Sequence, residues 1–402
     1  MKIVGIIAEY NPFHNGHLRH LEEARAKTGA SHVIAVLSGN FVQRGEPAIF
    51  DRNTRTLMAL RAGVDVVVEL PFMYALSSAG YFADAAVKLL VRMGAVDCIA
   101  FGAESSKEEL ELAAGVLRRE PQRFKAELRN FLSHGLSFPD ARAKALSGLV
   151  NGGAMVLEGP NNILGVEYIN SIARLGSKMS VEVIARNVSH ICGRSGKFAS
   201  ASEIRKSLLS GRFEEAAGFM PCFAARIMER SGVCHRMGNL EDVFHYCIRT
   251  QKLEDLRDIA EISEGLENRI EHVSRQFASL EDIIAQVKTK RYTLSKIKRI
   301  FLNIILDVRK DMFVKVQEHG PAYARVLGFR KESEALLAYI ESKSDIALVT
   351  NVKHASRLEP FARQILGLEL RSTDVYALSA DKQGLQSLED KSSEYKTPIV
   401  CS

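Results

Sequence analysis

Up to about residue 185 the chain alternates two rhythms. Near-continuous apolar runs occur at Lys2–Ala8, Ser31–Leu37 (SHVIAVL), Val64–Leu70 (VDVVVEL), Val96–Phe101 (VDCIAF) and Ser180–Ala185 (SVEVIA). The first four run into loop-forming residues such as Ser38-Gly39-Asn40 and Pro71. Val/Ile-rich runs without polar alternation belong to strands covered on both faces, as in a parallel sheet. Between them the apolar positions recur at helical spacing. Asn15–Lys27 carries Leu18, Leu21 and Ala24 on one face, Asp51–Ala62 has Asp51 as its N-cap, and Ser77–Met93 forms a third helix. This alternation predicts an α/β domain with a doubly wound parallel sheet. Residues 105–150 read as a charged helical excursion, and Pro160-Asn161-Asn162 opens an apolar helix through Ala173.

Beyond about residue 215 strand signals nearly vanish. Segments 220–230, 240–260, 264–287, 293–318 and 331–341 read as helices, and Ile346–Thr350 (IALVT) is a lone β-like stretch. The expected division is therefore an α/β domain over 1–215 and a mainly helical domain over 216–402, without repeat or low-complexity linker to sharpen the boundary. A length of 402 residues suits two or three domains. Hydrophobic content of 46% and charged content of 25% exclude a disordered, collagen-like or disulfide-scaffold chain. No run approaches the length of a membrane span, so no membrane partner is expected. The N-terminal run meets His and Asn rather than a small-residue cleavage site and reads as a strand, not a signal peptide. Six irregularly spaced Cys point to free thiols in a reducing cytoplasm. A net charge of +6 matters only where it clusters. Nothing here sets an oligomeric state.

The segment with chemical content is Glu9-Tyr10-Asn11-Pro12-Phe13-His14-Asn15-Gly16-His17, between the first strand and the first helix. Open α/β sheets bind ligands at the carboxyl ends of strands. Gly16 lets a ligand approach the backbone, the helix start favours a phosphate, and two imidazoles can donate to its oxygens as charge builds in nucleotidyl transfer. An isolated H-x-G-H is often only a cap or surface pair. This one follows a buried-type strand and Asn-Pro-Phe and precedes an amphipathic helix. A zinc site would need further ligands, and only Glu9 is near, so no metal site is expected. Cys234-His235 with His245 and Cys247 lacks finger spacing. A second basic element should close over the phosphates. Lys178-Met179-Ser180 precedes a strand, the wrong side for that role. Ser200-Ala201-Ser202-Glu203-Ile204-Arg205-Lys206 opens a helix, where hydroxyls, backbone N–H groups and Arg205 suit β- and γ-phosphates.

Strand, [His/Thr]-x-Gly-His and helix together resemble the nucleotidyltransferase superfamily, and Ser200–Arg205 resembles the Ser-x-x-x-Ile-Arg element of its small adenylyltransferases. EYNPFHNGH with SGNFVQRGEP (38–47), VELPF (68–72), FGAE (101–104), PNNILG (160–165) and Ala199–Arg205 resembles the bacterial tRNA(Met) cytidine acetate ligase family, over nearly the whole chain. The resemblance implies an enzyme that activates acetate with ATP, releases pyrophosphate, and passes acetyl from acetyl-adenylate to N4 of the wobble cytidine of elongator tRNA(Met). Mg²⁺ would accompany ATP as substrate. It implies His14 and His17 as catalytic. ATP contacts would come from Ile7, Ala8, Glu9, Tyr10, Asn11, Pro12, Phe13, His14, Asn15, Gly16, His17 and Leu18. Further contacts would come from Gly102, from Asn161 or Asn162, and from Arg186, Ser202 and Arg205. Gln43 and Arg44 follow the second strand, where acetate or RNA would meet them; Asn40 and Glu69 could as well be structural.

Residues 288–310 hold eight basic residues and one acidic residue. Leu294, Ile297, Ile300, Phe301 and Ile304 give one buried face, and Lys290, Arg291, Lys296, Lys298 and Arg299 are expected along an outer face meeting tRNA phosphates. Two other readings stand beside this one. A small-molecule adenylyltransferase or acyl-adenylate ligase would not need the long C-terminal half. A non-catalytic nucleotide- or RNA-binding protein would not need the intact His14…His17 and Ser202…Arg205 elements.

Overall fold

The computed structural model describes residues 1–150, 153–186, 198–231, 233–263, 265–381 and 398–402. Five strands lie within two residues of the apolar runs: β1 (Ile3–Ala8), β2 (His32–Ser38), and, after the short hairpin β3 (Phe41–Val42) and β4 (Glu46–Pro47), β5 (Val66–Leu70), β6 (Cys98–Ala103) and β7 (Ser180–Ala185). Their spatial order is β5-β2-β1-β6-β7, all parallel. The chain moves outward from β1 through β2 to β5, then returns to the far side of β1 with β6. A crevice therefore opens at the carboxyl ends of β1 and β6, where ligands bind in such sheets.

Alternation along these strands feeds two cores. Ile3, Ile34, Val36, Val66, Val68 and Ile99 enter one, together with Phe82, Val87 and Leu90 from the helix Ala79–Arg92. Val4, Ile6, Val33, Ala35, Leu37 and Val67 enter the other, with Leu21 of the helix Asn15–Thr28 and Met58 of the helix Arg52–Arg61. Each fully buried Val, Leu or Ile contributes roughly 1.5–3 kcal/mol. Asp51 caps its helix as expected, accepting from the N–H groups of Asn53 (2.8 Å) and Thr54 (3.0 Å). The excursion consists of the helices Lys107–Arg119, Gln122–Ser133 and Phe138–Ser147.

The C-terminal half is helix-rich, yet three of its segments join the same sheet: β8 (Tyr323–Arg330), β9 (Ala347–Val349) and β10 (Ile399–Cys401). This corrects the expectation that strands nearly end at residue 215. β8 runs antiparallel to β5, while β9 and β10 run parallel to β8 on its other side. Its sequence, YARVLGFR, reads as broken by Arg325 and Gly328, and distant partners explain both. Arg325 reaches Glu69 of β5 at 3.1 Å. A side chain at Gly328 would meet Ile399 O, Leu60 Cδ1 and Thr56 Cγ2, all at 2.9 Å. The helix Pro360–Leu378, also unforeseen, adds Glu369, which accepts from the Phe72 N–H (2.6 Å) and lies 3.7 Å from Arg52. Arg52 bonds Glu69 at 2.8 Å. These four buried charges join the halves. Among the described residues, no helix is long and apolar enough to cross a membrane.

Candidate active site

The turn after β1 is held by aromatic packing. Phe13 is fully buried against Tyr10 (4.8 Å between ring centroids), His17 (5.6 Å) and Phe223 (6.2 Å). His14 is the N-cap of the helix Asn15–Thr28, with extended backbone (φ −142°, ψ 173°). Its Nδ1 accepts from the Gly16 N–H (3.0 Å), and the His14 N–H donates to Nδ1 of His17 (3.3 Å). The two imidazoles thus fill the roles that Ser and Glu fill in an ordinary capping box. An Nδ1 that accepts carries no proton, so each neutral ring carries its proton on Nε2. The rings stack at 3.7 Å and 22°.

Neutrality follows from the surroundings. Burial, with the nearby Arg186 cation, lowers His14 to about 4. Burial, His14, Arg186 and His20 together hold His17 well below the ordinary range. The structure also revises why the motif contains glycine. A Cβ at Gly16 would lie 2.9 Å from Cε1 of His14, so the residue makes room for the ring. The first-turn amides are already engaged, Asn15 N–H by Phe219 O (3.0 Å) and Gly16, His17 and Leu18 N–H by His14. The helix start expected to favour a phosphate thus offers it no free first-turn amide, and the donors left are the two Nε2–H groups.

Across the crevice, Arg186 follows β7. Its N–H donates to Ala103 O (2.8 Å), and its stem covers Gly102, where a Cβ would meet Arg186 Cδ at 3.0 Å. Its guanidinium reaches Asn161 Oδ1 at 3.4 Å. Asn161 and Asn162 differ. Asn162 is buried, and its Oδ1 accepts from the Glu104 and Ser105 N–H groups (2.9 and 3.0 Å), so it holds the loop after β6. Asn161 stands partly exposed beside Arg186. Ser200 caps the helix Ala201–Leu209, and from it Arg205 donates to Asn11 O (2.8 Å) and Ser202 Oγ (3.3 Å), which closes the far wall. His14, His17, Gly102, Asn161, Arg186, Ser202 and Arg205 thus surround one crevice. The full-length sequence matches to this arrangement decide the family. Residues 1–391 match the HIGH Nucleotidyl Transferase family. A tRNA(Met) cytidine acetate ligase of Thermoanaerobacter sp. (strain X514) is 38% identical over 97% of this chain and 98% of its own. Its namesake from Acetivibrio thermocellus is 38% identical over 94% and 95%. The crystal structure of Thermotoga maritima TmcAL bound with alpha-thio ATP superposes with a TM-score of 0.90 at 35% identity, covering all of both chains.

The chain belongs to the tRNA(Met) cytidine acetate ligases of the HIGH nucleotidyltransferase family.

Two residues of this acetate-ligase-family site escaped sequence reasoning. His20, one turn beyond His17, is lowered to about 4 by burial and Arg186, and its Cδ2 lies 3.7 Å from where a Gly102 side chain would begin. The His-x-x-His spacing from 17 to 20 was its signal. Arg55 is wholly buried. It donates to Phe50 O (2.9 Å), Glu9 O (2.7 Å), Ser38 O (2.9 Å) and Gly39 O, gathering the carboxyl ends of β1 and β2. Its signal was an Arg in the apolar stripe shared with Met58 and Ala59.

Gln43 and Arg44 form the tip of the β3–β4 hairpin, with Arg44 exposed. The Gln43 N–H donates to Glu9 Oε1 (2.8 Å), and its side chain to Ser77 O (3.3 Å). The basic segment is only partly as expected. Lys290 and Arg291 are exposed and precede the helix Leu294–Ile305, and Lys296 lies 5.0 Å from the Tyr292 ring. Lys298 pairs with Glu46. Arg299 is corrected: it is buried and bonded twice to Glu261, at 2.9 and 3.0 Å. That helix buries Ile297 and every residue from Arg299 to Ile305, so it has no continuous outer face there. An open groove of ≈ 530 Å³ runs from Ser137 and Asp140 to Lys288, Lys290 and Tyr292. Of the Cys/His set, His235 stacks on Tyr376 (3.9 Å) and His245 bonds Ala278 O (2.7 Å).

Proposed function

We propose that this protein forms acetyl-adenylate from acetate and ATP and transfers the acetyl group to N4 of the wobble cytidine of elongator tRNA(Met). The carrying observation is the stacked, neutral His14–His17 pair, its Nε2–H donors fixed by the backbone at the crevice of a chain related end to end to tRNA(Met) cytidine acetate ligases. Acetate oxygen attacks the α-phosphorus, and the bond to pyrophosphate breaks. His14 and His17 donate to phosphate oxygens as negative charge grows there, and the cations of Arg186 and Arg205 offset that charge. Rings held in place before the reaction need no reorganisation during it.

Mg²⁺ enters with ATP as part of the substrate. Among the described residues no three His, Cys, Asp or Glu side chains gather to hold an ion. Phosphate oxygens and water are the ligands Mg²⁺ prefers in such sites. The exposed Lys290 and Arg291, with Lys288 along the groove, supply tRNA phosphate contacts. A tRNA substrate places the reaction in the cytoplasm. The test is ATP–pyrophosphate exchange with purified protein, with and without acetate, followed by mass spectrometry of nucleosides from incubated tRNA(Met). Acetate-dependent exchange and N4-acetylcytidine are expected. Exchange that ignores acetate, or unmodified tRNA after adenylate has formed, would sink the reading.

A further inference from the structure

Glu9 was expected among the ATP contacts, but its carboxylate is held by the Gln43 N–H and its carbonyl by Arg55, and it takes no part in the adenylate step above. It directly follows β1, at the start of the turn that carries His14 and His17. The Gln43 N–H fixes Oε1 at 2.8 Å. Among the described residues, Oε2 accepts no hydrogen bond and no cation lies within ion-pair distance of the carboxylate. Yet the charged groups around it are mostly positive: Arg44 from the hairpin tip, Arg205 from the helix Ala201–Leu209, and Arg55 from below. The charge of Glu9, together with burial, raises the Tyr168 hydroxyl on the helix Pro160–Arg174. Burial raises the Glu9 carboxyl above the ordinary range, against the pull of these cations. An unpaired carboxylate oxygen beside a triphosphate site is poorly placed to bind that anion, since like charges repel. It is well placed for a group that donates.

The acceptor base brings such a group. The exocyclic amine of cytosine offers two N–H donors, and a carboxylate is their natural partner. Its lone pair is delocalised into the ring, so the nitrogen is a weak nucleophile until a proton leaves it. We propose, building on the acetyl-transfer reading above, that Glu9 is the proton acceptor of the second step. N4 attacks the carbonyl carbon of acetyl-adenylate and the C–N bond forms. The carbonyl-carbon-to-phosphate-oxygen bond breaks, and AMP leaves with that electron pair. One N4 proton passes to the free oxygen of Glu9, which later returns it to solvent. Gln43 positions the carboxylate by holding the other oxygen.

The experiment uses the full chain with Glu9→Gln and Glu9→Asp. Two rates are read: acetate-dependent ATP–pyrophosphate exchange, and single-turnover acetyl transfer from preformed adenylate to tRNA(Met). In Glu9→Gln the transfer rate should fall about 10²–10⁴-fold, the usual range for losing a general base, and the exchange rate far less. The wild-type transfer rate should climb with pH as Glu9 loses its proton and then level, and the climb should vanish in Glu9→Gln. Glu9→Asp should keep part of the rate and the climb, which also decides the matter if Glu9→Gln fails to fold. Equal losses in exchange and transfer, or transfer at the wild-type rate in Glu9→Gln, would overturn the assignment. A wild-type enzyme that makes adenylate but never acetylates tRNA would overturn the acceptor reading itself, and this step with it.

Discussion

The turn after β1 and the basic segment from Lys288 to Arg299 are both rich in nitrogen donors, but they are built in opposite ways. In the turn, each ring is neutral and fixed by a backbone hydrogen bond, His14 buried and His17 half-buried. In the basic segment, Lys290 and Arg291 stand exposed at the surface, while Lys298 and Arg299 are held by Glu46 and Glu261. Fixed neutral donors stabilise a transition state whose charge appears at one point. Exposed cations on long side chains act over distance and with little geometric demand, which suits a polyanion. Basic residues in one stretch of sequence therefore need not share one task.

The sharpest way to break this contrast is His17→Ala. Removing one preorganised donor should slow acetate-dependent exchange about 10²–10³-fold while the fold survives, as thermal unfolding would show. A loss below about tenfold would mean that these rings do not carry the chemistry. Next comes Arg55→Met, which strips four carbonyls of their donor. It should cost at least about 3 kcal/mol of stability in denaturant titrations and lower exchange, because the ends of β1 and β2 are no longer drawn together.

The basic segment should respond more gently. Lys290→Ala with Arg291→Ala should raise the KM for tRNA several-fold and make the log–log salt slope shallower by about 2. Arg299→Met should instead lower the melting temperature, because it leaves Glu261 unpaired, with little change in that slope. If Arg299→Met flattened the slope as much as the double substitution, the division between buried and exposed cations would fail.

Acid pH tests the lowered imidazoles themselves. His14, His20 and His235 sit near 4 in the fold, below their ordinary value of 6.5. Groups depressed on folding bind fewer protons in the native state than in the unfolded chain. Their contribution is complete above about pH 6.5 and is lost as pH falls toward 4, so the melting temperature should drop across that window. Exchange should show no histidine limb at 6.5.

Much of the fold was legible because its signals are local. Five strands, the capped helix after Asp51 and the His14–His17 turn each announce themselves within a dozen residues. What stayed hidden depends on distant partners. Arg325 and Gly328 disguise β8 until Glu69 and Ile399 are placed beside them. Arg55 reads as a surface charge until three separate loops turn their carbonyls toward it. Arg299 was misread because Ile297, Ile300, Phe301 and Ile304 suggest one apolar face, whereas packing surrounds that helix. At the site, spacing could not separate Asn161 from Asn162; both meet the loop after β6, Asn162 buried on its backbone N–H groups and Asn161 partly exposed between Glu104 Oε1 (2.6 Å) and Arg186.

The pairing of β5 with β8 has a consequence during synthesis. Roughly 250 residues separate these neighbours, and at about 5–20 residues per second a ribosome needs roughly 10–50 s to cover that distance. For that interval the Val66–Leu70 segment on a nascent chain has one side without a partner strand, the kind of surface that recruits other chains. Translation speed and holding chaperones should therefore govern the yield of this protein more than its final stability does. A fragment released near residue 215 would never leave that vulnerable condition and should be recovered mainly as aggregate.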